Sequence, residues 1–264
     1  MKKKNIVITG ANRGLGLYLA KEFLIEGHNL VLLSRTNNFK KQFTKTTFKD
    51  QKIIFAKLDL EKKNDINKVK NLVKKKLKKV DVLINNAAIQ GPIGIFHKNN
   101  FLQWEKTITI NLVNTALMIK NFIPLLKNNK TSCVINISGG GSASSRKFFS
   151  SYSVAKTGLV RLTENLAEEY EQEKIKFYAI APGVLNTRMF LKSKNIEKYI
   201  NPTKKKVVFS EMKNTLELIK FLSNNNIKKS GKLISAIWDK WKDKRFIKLI
   251  NNNKDLLTLR RIIK

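Results

Sequence analysis

"NIVITGANRGLG", residues 5–16, decides the fold. "NIVIT" is a short β-branched run that ends on glycines spaced G-x-x-x-G-x-G. The next stretch, "GLYLAKEFLIEG", carries apolar residues at helical intervals. Strand, glycine turn and helix start in that order bring bare backbone amides to one point, where a pyrophosphate can rest on the helix N-terminus. Similar apolar runs follow at "NLVLLS" (29–34), "KIIFAKLD" (52–59), "VDVLIN" (80–85), "CVINIS" (133–138), "IKFYAIAP" (175–182) and "KLISAI" (232–237). Each is nearly continuous, as a strand buried on both faces requires, and amphipathic stretches of helix length lie between them. The alternation predicts an α/β fold: one doubly wound parallel sheet of about seven strands, with helices on both faces and ligands at the carboxyl ends of the strands. No linker or repeat interrupts it, so residues 1–264 read as one domain with its core over about 5–237.

Composition narrows the function classes. Of 264 residues, 42% are hydrophobic and 9% aromatic, enough for a sizeable core. Cys133 has no intramolecular partner, which suits a reducing compartment, and with His28 and His97 it leaves almost no ligands for a metal; none is expected. The start "MKKKNIVITG" reaches glycine too soon for a signal peptide, and no apolar run approaches the roughly 20 residues of a membrane helix. A cytoplasmic protein without a membrane partner is expected. The net charge of +34 raises nucleic acid as a partner. Yet the lysines run from Lys2 to Lys264, and the densest group, "VKKKLKKV" (73–80), closes a helix, where cations suit the dipole. A solvated basic surface is the expectation, with no specific nucleic acid; the anionic partner expected is a phosphorylated cofactor.

Two further loops belong to the same sheet edge: Asp59 in "LDL" after the third strand, and "NNAA" (Asn85–Ala88) after the fourth. With Tyr152 and Lys156 in Y-x-x-x-K and Pro182-Gly183 followed by Thr187, the chain resembles the short-chain dehydrogenase/reductase family, in its short soluble branch. Thr9, Gly10, Gly14 and Gly16 match that branch's T-G-x-x-x-G-x-G, and the likeness covers roughly residues 5–237. The resemblance implies a Rossmann fold and an NAD(P)-dependent oxidoreductase acting on a carbonyl or secondary alcohol. It implies that Asn12 and Asn86 contact the adenosine ribose region, Asp59 with Leu60 the adenine, and Thr187 the nicotinamide amide. Gly10, Arg13, Gly14, Leu15, Gly16, Ala87, Ala88, Pro182 and Gly183 complete the expected cofactor surface. At the end of the second strand stand Ser34 and Arg35, where an NAD-type site would place an acid. Ser34 does not repel a 2′-phosphate, and Arg35 and Arg13 can pair with one, so NADP(H) is preferred and NAD(H) possible.

Tyr152 and Lys156 stand at i and i+4 of one helix and so share a face. Hydride addition builds charge on the carbonyl oxygen, which needs a proton, and a free tyrosine with pKa about 10 holds its proton tightly. An ammonium about 4 Å away contributes up to about 4 kcal/mol at an effective dielectric near 20, which favours tyrosinate. The resemblance adds that Lys156 holds the nicotinamide ribose and that Asn111 supports Lys156 through water. It also places a serine thirteen residues before the tyrosine, and here that position is Gly139. Ser138 is one place early, and a shift of one turns a strand side chain to the other face. Four readings stay open: Ser138 swings inward and is catalytic, Ser142 reaches back, backbone amides of Gly139–Gly141 donate as in an oxyanion site, or the chain binds cofactor without catalysis.

The segment 188–210 is a candidate substrate lid whose lysines would tolerate an anionic substrate, and 238–264 reads as a polar tail. The helices containing Asn111 and Lys156 carry apolar residues on more than one face, and by resemblance such helices pair across a twofold axis, so a homodimer or homotetramer is expected.

Overall fold

The computed structural model describes residues 2–36, 38–43, 51–193 and 208–261. Seven strands form its sheet: β1 (Asn5–Thr9), β2 (Asn29–Ser34), β3 (Ile53–Lys57), β4 (Val82–Asn85), β5 (Ser132–Ile137), β6 (Ile175–Ala181) and β7 (Lys232–Ser235). Their order is β3-β2-β1-β4-β5-β6-β7, every pair parallel. The chain winds outward from β1 to β3, then returns to place β4 on the other side of β1. That reversal opens a crevice at the carboxyl ends of β1 and β4, the usual ligand position in such sheets.

The helices are α1 (Gly14–Ile25), α2 (Lys63–Leu77), α3 (Phe101–Ile108), α4 (Asn114–Leu126), α5 (Ser150–Glu169), α6 (Met212–Ser223) and α7 (Lys244–Asn252). Two apolar cores cover the two faces of the sheet. One gathers Leu19 and Phe23 of α1 with Leu218 and Ile219 of α6. The other gathers Val69 and Val73 of α2 with Met118 and Phe122 of α4. The alternating strand–helix expectation is therefore met on both faces.

Two expectations need correction. Phe101–Leu126 is one continuous helical run of 26 residues with mean hydropathy 1.3, long and apolar enough to cross a membrane by length and composition alone. In the sequence this stretch reads as an amphipathic helix, because Glu105, Lys106 and Lys120 interrupt the apolar letters. Half of its most apolar window is buried in this fold, with α4 against α2, β4 and β5. Packing also continues past residue 237. Trp241 and Ile250 are buried in the α1–α6 core, and Leu256 and Leu257 pack against it. On the edge strand β7, Leu233 N–H donates to the Leu257 carbonyl at 2.8 Å. The buried Lys232 ammonium donates to the carbonyls of Asn253, Lys254 and Leu256. Asparagines and lysines in the tail conceal an element that covers a sheet edge.

Candidate active site

The glycine turn is fitted to the β4 loop. Thr9 Oγ1 accepts from the amides of Asn86 and Ala87, both at 3.0 Å. Asn86 Nδ2 donates to the Thr9 carbonyl at 3.0 Å and the Gly10 carbonyl at 3.3 Å. A Cβ on Gly16 would run into the Gly10 carbonyl oxygen and Asn86 Nδ2, so only glycine lets α1 begin this close to the turn. Gly14 has φ +53, which favours glycine, and its side-chain position faces Thr187 Cγ2 at 3.4 Å. Arg13, at the α1 N-cap, makes no side-chain capping bond. These features fit a dinucleotide: a close-packed backbone cradle, a helix N-terminus without a side-chain cap, and Thr187 opposite.

The remaining cofactor candidates line the same end of the sheet. Asn12, Leu15, Ala87 and Ala88 follow β1 or β4. Pro182 and Gly183 follow β6, with Gly183 at φ +80. Thr187 Oγ1 accepts from the Phe190 amide at 3.4 Å, at the start of the helical residues 188–193. At the end of β2, Ser34 is buried and accepts from the Thr36 amide, while Arg35 and Arg13 are exposed. Asp59 accepts from the Glu61 amide at 3.1 Å, which shapes the entry to α2, and Leu60 is buried beside it. Of the lid segment, 194–207 lies outside the described residues.

The helix α5, which carries Tyr152 and Lys156, is held by a buried chain of polar groups. Asn85 Nδ2 donates to Asn136 Oδ1, and Asn136 Nδ2 donates to Thr163 Oγ1, each at 2.9 Å. This buried chain ties β4 and β5 to α5. Asn111 sits on a π-helical turn, Thr109–Val113, between α3 and α4. Such bulges re-aim side chains. Its amide donates to the Ile89 carbonyl at 2.7 Å and accepts from the Ile89 amide at 2.9 Å. Asn111 therefore pins the loop after β4.

Tyr152 and Lys156 are both buried on α5. Lys156 Nζ donates to the Ile137 carbonyl at 2.6 Å and stands 5.7 Å from the Tyr152 ring centre. Burial pushes the lysine down to about 8, so it remains largely protonated at neutrality. Burial pushes the Tyr152 phenol upward, and the charge that opposes it is Arg146. Desolvation of both groups thus works against the tyrosinate that a nearby ammonium is expected to favour.

A Cβ on Gly139 would lie 2.9 Å from Tyr152 Oη, so position 139 faces the phenol. Ser138 still follows the strand, its amide donating to the Ile180 carbonyl at 2.8 Å, and alternation turns it the other way. Its hydroxyl is buried without a hydrogen-bond partner. Ser142 Oγ donates to the Gly139 carbonyl at 2.9 Å and is thereby engaged in the turn. Ile89, Gln90, Gly91, Ile93, Gln103, Lys106 and Lys192 line a cleft of about 320 Å³ next to the loop that Asn111 pins.

Comparison with known proteins identifies the family. The family described as short chain dehydrogenase matches residues 4–198. The 3-oxoacyl-[acyl-carrier-protein] reductase FabG of Buchnera aphidicola is 35% identical over 211 residues, covering 75% of this chain and 81% of its own. Glucose 1-dehydrogenase 2 of Bacillus subtilis is 27% identical over 197 residues, covering 74% and 76%. Among solved structures, ElxO with NADP bound superposes with TM-score 0.77 at 26% identity, covering 89% of this chain and 97% of its own. Levodione reductase, at 23% identity, reaches 0.79 over 88% and 95% and shares the fold. With a glycine cradle for a dinucleotide at one end of the crevice and a buried tyrosine–lysine pair at the other, the chain belongs to the short-chain dehydrogenase family and is an oxidoreductase of CH–OH and C=O groups.

Proposed function

We propose that the protein is an NADP(H)-dependent carbonyl reductase in which Tyr152 delivers the proton. The observation that carries this reading is Tyr152 Oη placed against position 139, at the open end of the sheet, with buried Lys156 one turn away. The nicotinamide cofactor supplies the hydride. Gly10, Gly14, Gly16 and the first amides of α1 would hold its pyrophosphate, and Thr187 closes that cradle. Tyr152 gives its phenolic proton to the oxygen that becomes an alcohol. Lys156 keeps a positive charge beside the phenol and limits the cost of the tyrosinate left behind. Asn111 holds Ile89 and so shapes one wall of the cleft. Ser34 and exposed Arg35 and Arg13 support preference for the 2′-phosphate. Lys192 on the cleft supports an anionic substrate, while Lys106 there is paired with Glu61 at 2.7 Å.

Tyr152→Phe is expected to lower turnover by at least about a thousandfold, within the range general acids contribute, while NADPH still quenches protein fluorescence at the same concentration. Wild-type turnover in that variant would overturn the assignment. Gly139 favours a second reading, a cofactor-binding protein without catalysis; NADPH binding with no hydride transfer across a panel of aldehydes, ketones and oxo acids would select it.

A further inference from the structure

The outer edge of β7 is closed by two segments that follow it in the chain. Ala236 N–H donates inward, to the Ala181 carbonyl of β6, at 2.9 Å. Successive amides of a strand point to opposite sides, so those of Leu233 and Ser235 face away from the sheet. Neither is left open. Leu233 N–H donates to the Leu257 carbonyl at 2.8 Å, and Ser235 N–H to Asp239 Oδ2 at 2.7 Å. A tight turn brings Asp239 back to the strand, with Ser235 Oγ accepting from the amides of Ile237 and Trp238.

The second segment is a strap, residues 253–259, drawn over the edge by a lysine. Lys232 is 1% exposed, and its ammonium donates to the carbonyls of Asn253, Lys254 and Leu256 at 2.8 to 3.0 Å. Three acceptors for three donors are what a buried ammonium requires. Asn253 Oδ1 accepts from the amides of Asp255 and Leu256, which bends the strap around the lysine. Leu257 has φ +59, a conformation unfavourable for leucine that persists only where its surroundings fix it. Beyond it, Leu259 N–H donates to Glu164 Oε1 at 2.7 Å and Arg161 Nη2 to the Leu259 carbonyl at 2.6 Å, so the far end is fastened to α5. The buried cation and the left-handed leucine thus both fall where the strap meets the edge.

An uncovered edge strand is a template for another strand, and copies of one chain would meet there about a twofold axis, β7 against β7. We propose that residues 253–259 are an intramolecular cap that keeps two copies of this protein from joining through β7, with Lys232 as the latch that holds the cap in place. Self-association is thereby confined to other faces of the molecule. The inference concerns assembly and stands apart from the reductase reading.

The test uses the full chain. Lys232→Met keeps an unbranched apolar stem and removes the three donors. Lys232→Met/Leu257→Pro also forces φ at 257 to about −65°, which draws the carbonyl off Leu233. Sedimentation velocity should find these variants at double the wild-type mass, with circular dichroism as the measure of folding. In wild type, hydrogen exchange should find the Leu233 amide equally protected at every protein concentration, because its acceptor lies in the same chain. In the variants that protection should fall about tenfold or more in dilute protein and return as concentration rises. Wild-type mass in a folded variant, or open-ended aggregation instead of a closed doubling, overturns the proposal. So does wild-type protection that grows with concentration, a measurement that decides the matter even where neither variant folds.

Discussion

At the scale of single residues, Lys156 carries the largest physical tension in the site. Its pKa is about 8 in the fold against the ordinary 10.5, because burial penalises the ammonium and one carbonyl does not replace water. The folded state thus binds the proton less tightly than the unfolded chain. The penalty is fully present below about pH 8 and is released as pH rises toward 10.5, by about 3 kcal/mol in total. Between pH 8 and 10 wild type should gain stability relative to Lys156→Met, measured as the difference in chemical-denaturation free energy; a difference flat with pH would contradict the burial. Cofactor selection is also a single-residue matter. Arg35→Asp should raise the KM for NADPH by one to two decades, since a charged hydrogen bond contributes about 1.5–3 kcal/mol. Equal wild-type kcat/KM with NADH and NADPH would remove the basis for NADP(H) preference. Arg146 was not selected from the sequence at all. Its letter sits in a serine-rich stretch with no spacing rule, and only the path of the glycine turn brings it against Gly140 and Gly141.

At the scale of elements, the turn from β1 into α1 is the piece whose letters and geometry agree most closely. Gly16 is enclosed by the Gly10 carbonyl and Asn86, so Gly16→Ala must push α1 away from the β4 loop. Such overpacking costs about 1–3 kcal/mol. The variant should melt several degrees lower and bind NADPH at least tenfold more weakly; unchanged values in both measurements would mean the cradle is looser than its contacts indicate. The strands were legible because each is a short apolar run between polar helices, a pattern that depends on neighbours in the chain. The π-helical turn at Asn111 and the buried Asn85–Asn136–Thr163 chain were not, since their partners lie 22 to 51 residues away. The strand end at Ser138–Gly139 lies between these cases. Counting positions pointed to Gly139, and the continuing ladder to Ile180 shows why Ser138 does not rotate into its place.

At the scale of the whole molecule, apolar surface remains on the helices that carry the site. Val113 before α4 and Val154 on α5 are 48% and 50% exposed, and Phe101 and Leu102 on α3 are more so. A second copy of the chain would bury them, and sedimentation at micromolar concentration should show a dimer or tetramer; a monomer at that concentration would contradict it. The charge of +34 belongs to this scale as well, with lysines spread over helix faces and loops. From the sequence alone came the order of strands and helices, the glycine cradle and the tyrosine–lysine pair. Each is written in residues a few positions apart, where periodicity and turn chemistry act. Only the tertiary structure decided which position faces the tyrosine, that burial sets the ionisation of Tyr152 and Lys156, that Arg146 lies against the glycine turn, and that the asparagine-rich tail closes the β7 edge. Those outcomes depend on desolvation, charge and contact between segments far apart in the chain, and no local pattern of letters encodes them.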